Sequence, residues 1–130
     1  MSQSLSRSIT CLRTSDYGGT VSQNSTHIQS PGYPNGYTES TSVVYTFQKT
    51  STDICAIRLD MEHFVTRGPA LYVSPYTVCS YDYMTFTNPS GAYPPTICGY
   101  NTGQHLYIDN FSSSLTSNPT MTLSFTGKLC

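Results

Sequence analysis

Charged side chains are scarce. Lys and Arg number 6 and Asp and Glu 7 in 130 residues, 10% of the chain, where an average soluble domain carries roughly 25%. The basic residues Arg7, Arg13, Lys49, Arg58, Arg67 and Lys128 are scattered, and the formal net charge is -1. No cluster is dense enough to follow a phosphate backbone or an anionic lipid surface, so neither nucleic acid nor membrane is an expected partner. Long apolar runs are missing too, and none approaches the ~18 residues of a spanning helix. The first ten residues lack the apolar stretch of a secretory signal, so an exported chain is expected to be a processed product, a fragment or an alternative gene product. No two cysteines form a Cys-x-x-Cys pair and no Cys/His cluster has zinc spacing, which removes zinc and thioredoxin-like functions. No segment carries a sustained apolar stripe of 3.6-residue period.

What fills the chain instead is Ser, Thr and eleven Tyr. At 130 residues the length suits one domain able to bury a single core. Several segments alternate with period two, the pattern of a strand buried on one face. Over 55–62, Cys55, Ile57, Leu59 and Met61 face one way while Arg58, Asp60 and Glu62 face the other. Over 120–126, Met121, Leu123 and Phe125 point inward. Segments 83–87 and 105–109 are shorter versions, and 43–47 is β-rich but more uniformly apolar. Turn-forming stretches separate them: 30–37 holds two prolines and an Asn-Gly pair, and 88–91, 94–95 and 112–119 are further breaks. The expected architecture is all-β, with seven or eight short strands in a sandwich or barrel. Residues 1–15 read as a flexible or weakly docked arm ahead of a domain over 16–130. Five widely spaced cysteines, at 11, 55, 79, 98 and 130, favour disulfides in an oxidising compartment and leave one thiol over.

The order of certain motifs resembles the CUB domain, and more narrowly CUB proteins secreted by arthropods. The motifs are Gly-Gly-Thr at 18–20, Ser-Pro-Gly-Tyr-Pro at 30–34, Val-Tyr-Thr-Phe at 44–47, and Asp-Ile-Cys-Ala-Ile-Arg-Leu-Asp at 53–60 with Phe64. Cys-Ser-Tyr-Asp at 79–82, Ile-Cys-Gly at 97–99, Asn-Thr-Gly-Gln-His at 101–105 and Met-Thr-Leu-Ser-Phe at 121–125 complete them. The resemblance implies an antiparallel jelly-roll-like β-sandwich, extracellular and used for recognition. It implies a Cys79–Cys98 disulfide, and places Tyr17 and Val43 where the family usually has a second bridged pair. Because the chain stops soon after Phe125, the last one or two strands of a complete sandwich are expected to be missing. Cys130 is then expected to pair with Cys55, leaving Cys11 free; Cys11–Cys130 is the rival pairing. Calcium-binding members place a Glu before the Cys-x-x-Asp motif and an Asp after a late strand. Here only Asp82 matches a ligand position, Arg67 and Lys128 fall at or near the others, and no calcium or other cofactor is expected.

Asn24 and Asn110 head N-glycosylation sequons, whereas the one at Asn118 is blocked by Pro119. His27, His63 and His105 lack any nucleophile-elbow context, and Asp60 and Glu62 beside Arg58 read as a solvated stripe, so no catalytic residue is assigned. Tyrosines in or beside loops offer contact area at low entropic cost. Tyr72, Tyr76, Tyr81 and Tyr93, around the 79–98 loop, are the expected ligand-binding set. The leading expectation is a secreted, non-enzymatic module that binds an extracellular protein or glycan, as a monomer or as a dimer through Cys11. The alternative is a self-associating matrix, venom or seminal component.

Overall fold

The computed structural model describes residues 2–5, 13–15, 18–37, 39–68, 79–88, 93–109 and 118–126. Within them the chain forms nine strands: β1 (Ser2–Leu5), β2 (Arg13–Ser15), β3 (Gly19–Val21), β4 (Thr26–Gln29), β5 (Ser40–Phe47), β6 (Ile57–His63), β7 (Tyr83–Thr87), β8 (His105–Ile108) and β9 (Thr120–Thr126). A five-stranded sheet runs β2-β4-β1-β6-β8 and a four-stranded sheet runs β3-β5-β9-β7. Pairing is antiparallel except for the short parallel contacts of β2 with β4 and β3 with β5. This is an all-β sandwich of the CUB-like kind the sequence leads one to expect.

Alternation decides which side chains fill it. In β9, Met121, Leu123 and Phe125 are buried and the residues between them half-buried. Met84 and Phe86 of β7 and Val43, Tyr45 and Phe47 of β5 continue that inner face, and Ile28, Leu59, Met61 and Ile108 oppose them from the other sheet. Fully burying one such side chain stabilises the fold by roughly 1.5–3 kcal/mol. Tyr45 sets its ring in this core while its hydroxyl donates across to the Gln29 carbonyl of β4 at 3.5 Å, so the polar tip crosses the sandwich. Outside, the four-stranded sheet is uncharged. Thr20, Thr46, Thr120 and Thr87 form one row across all four of its strands, and the hydroxyls of Thr87 and Thr120 are hydrogen-bonded. Gly18 begins this sheet's edge because nothing larger fits: a Cβ there would lie 2.6 Å from the Val44 carbonyl oxygen, at a φ of +84°.

Three expectations are corrected. Residues 1–15 supply β1 and β2, and β1 lies inside the five-stranded sheet between β4 and β6; its partners, not its own pattern, make it a strand. Segment 43–47 alternates after all, with Val44 47% exposed between buried neighbours. Cys55 does not face the core. A turn in which the Asp53 and Ile54 amides donate to Ser51 delays the strand to Ile57, and Cys55 is left exposed with a free thiol. Its expected partner Cys130, and Cys11, lie outside the described residues.

Candidate functional site

Beyond β6 the chain passes Phe64, which is fully buried, and emerges at one end of the sandwich. There it is held by a short run of chain before β8. The Thr66 amide donates to the Gly99 carbonyl at 3.0 Å, and the Gly99 amide returns a 2.7 Å bond to the Thr66 hydroxyl. The Asn101 amide donates to the Phe64 carbonyl, and the Phe64 amide to the Thr102 hydroxyl, each at 3.0 Å. Val65 and Tyr100 are thereby paired antiparallel. On its other side the same run exchanges two 2.9 Å backbone bonds between Ile97 and Met84 of β7. It thus ties the end of one sheet to the edge of the other.

The Cys79–Cys98 disulfide is formed within this junction, with Cα atoms 5.8 Å apart. The Asn101 side-chain amide donates to the Cys98 carbonyl at 2.9 Å, fixing the turn that follows the bridge. On that support sit side chains that the core does not use. Tyr100 is 74% exposed and Val65 47%, and directly opposed residues of an antiparallel pair share a face. Tyr93, from the expected set, is 60% exposed on the stretch leading into Cys98. Tyr81, also from that set, carries the Arg67 guanidinium 3.6 Å above its ring centre, well within cation–π range. Tyr72 and Tyr76 lie outside the described residues. Val65 and Arg67 were not expected contributors: nothing local to 65–67 signals that the chain will be pinned beside Tyr100.

Asp82 is committed to the fold. Its Oδ1 accepts the Thr126 amide at 2.9 Å and the Thr126 hydroxyl at 3.2 Å, joining the start of β7 to the end of β9. Arg67, which the resemblance sets at or near a calcium-ligand position, lies over the ring of Tyr81. Calcium takes six to eight oxygens, usually with several carboxylates, and a guanidinium beside one committed carboxylate does not fit that need. Among the described residues no group of three His, Cys, Asp or Glu side chains comes together for a metal. Lys128 lies outside them.

At the opposite end, where β6 starts, a cleft of about 530 Å³ opens between the sheets. Val21, Phe47 and Ile57 line it together with Asp53, Cys55 and Tyr107. Asn24 is exposed on its rim, and Asn110 lies outside the described residues. Along the outer face of the five-stranded sheet, Arg58 donates to Asp60 at 2.8 Å and His27 approaches Glu62 at 3.8 Å. The bond to Asp60 raises Arg58 above its ordinary value, so it stays charged at every working pH. Arg58 and Asp60 are a paired surface charge.

The family model described as the CUB domain matches residues 17–127. Searches of the curated proteins and of the solved structures give no match, and the narrower likeness to arthropod members has no support from these comparisons. The match covers every strand from β3 to β9, the disulfide and the paired segment that carries Val65 and Tyr100. With its two-sheet all-β architecture, this chain belongs to the CUB domain family.

Proposed function

We propose that the chain is a secreted, non-enzymatic recognition module that engages a protein or glycan ligand through the surface around Cys79–Cys98. CUB domains occur mostly in secreted or extracellular proteins and generally act as interaction modules rather than catalysts. A formed disulfide fits an oxidising compartment, and glycans at Asn24 and Asn110 belong to the same proposal. The observation that carries it is the Val65–Tyr100 pair: apolar and exposed, yet clamped by backbone bonds on both sides. A rigid exposed aromatic loses little freedom on binding, and Tyr and Arg dominate the energetic centres of interfaces. Calcium plays no part in this binding.

The test is capture of partners from extracellular fluid by the folded wild type and by a Val65→Ser, Tyr100→Ser double variant. Loss of the captured protein or glycan from the variant supports the surface. Equal capture by both overturns it.

A second reading, a self-associating component, is favoured by the exposed Cys55 thiol, which moves any described route to a disulfide-linked dimer away from Cys11. A dimer on a non-reducing gel that Cys55→Ser abolishes would favour self-association.

A further inference from the structure

Between His63 and Ile108 the only Asp, Glu, Lys or Arg residues are Arg67 and Asp82, while seven of the eleven tyrosines fall in the same stretch. The one anion is used internally, its Oδ1 holding Thr126. The one cation is not: among the described residues no carboxylate lies within ion-pair distance of Arg67. Nor does the sequence between 68 and 81, or between 83 and 108, contain a carboxylate to supply one.

Arg67 is nevertheless held in place. The ring of Tyr81 covers one face of the guanidinium at 3.6 Å, and a stacked guanidinium keeps its N–H donors at the rim, where a planar anion meets them two at a time. Its carbonyl also accepts the hydroxyl of the preceding Thr66 at 3.3 Å. Two residues earlier stands Val65, 47% exposed and paired with Tyr100. An oriented cation in an uncharged aromatic field, beside an apolar pair, is complementary to a carboxylate next to an apolar side chain.

We propose, resting on the recognition surface above, that its partner is a protein presenting an acidic residue. The Asp or Glu carboxylate docks on Arg67, and a neighbouring apolar side chain covers Val65 and Tyr100. A sulfated glycan fits less well, because a polyanion is held by several clustered cations, and among the described residues Arg67 is the one cation at this end.

A displayed library of twelve-residue peptides, selected against the whole chain, tests this. The expected result is enrichment of Asp or Glu at one position beside an apolar residue. Affinity of a selected peptide should fall about tenfold or more in Arg67→Gln, as for loss of a charge-assisted hydrogen bond, and partly recover in Arg67→Lys. Asp82 and the core are untouched and only the contact with Tyr81 is lost, so Arg67→Gln should still unfold cooperatively at a midpoint close to the wild type. Peptides that lose affinity in Tyr100→Ser but carry no acid, or ignore Arg67→Gln, overturn this inference and leave the recognition surface standing. Peptides insensitive to both substitutions overturn both. A heparin-derived oligosaccharide that binds wild type and not Arg67→Gln, with no acidic peptide selected, transfers the site to glycans and overturns the protein partner.

Discussion

Asp82 illustrates how one side chain can serve architecture at a position that the sequence resemblance alone associates with calcium. Its carboxylate accepts two bonds from Thr126, and hydrogen bonds to a charged group contribute more than neutral ones. Replacing it with Ala is expected to cost about 2 kcal/mol, read as a lower denaturant midpoint. Added calcium should leave the wild-type midpoint unchanged; a calcium-dependent rise would contradict this assignment. Residue-level legibility in the sequence was uneven for a physical reason. Tyr81 and Tyr93 stand out as loop aromatics in any uncharged stretch. Val65 and Arg67 do not, because their importance comes from contacts with residues 100 and 81 that only the folded chain brings near. Cys55 was misplaced because apolar alternation carries no mark of where a strand begins; the hydrogen bonds to Ser51 supply it.

At the scale of elements, β7 and β9 occupy the spans that alternation alone assigns, 83–87 and 120–126. Each carries at least two inward apolar residues at period two, enough to fix both face and length. β1 to β4 have three or four residues each, too few for a period to register, so their partners determine them. β1 is the sharpest case. It is hydrogen-bonded on both sides, to β4 and to β6, and each such bond contributes about 1 kcal/mol net. Deleting residues 1–5 should therefore lower stability by on the order of 3 kcal/mol or more, measured by chemical denaturation. An unchanged midpoint would return this segment to the status of an arm. The disulfide works alongside: closing its loop stabilises by ~3 kcal/mol in the chain-entropy view, and it does so where the two sheets are joined, under the candidate surface.

For the whole molecule, the two ends of the sandwich divide the work of display. One end carries Tyr100, Val65 and the stacked Arg67 on a disulfide-braced junction; the other carries the cleft with Tyr107 at its side. β6 spans the distance between them, seven residues or about 20 Å, so a partner seated on one end leaves the other open. Tyr100 and Tyr107 are both exposed, 74% and 48%, and serve as reporters of the two ends in a single experiment. Hydroxyl-radical footprinting of the chain with and without its captured partner compares them directly. The account predicts that Tyr100 loses most of its reactivity in the complex while Tyr107 keeps its own. Protection of Tyr107 with Tyr100 still fully reactive would contradict it.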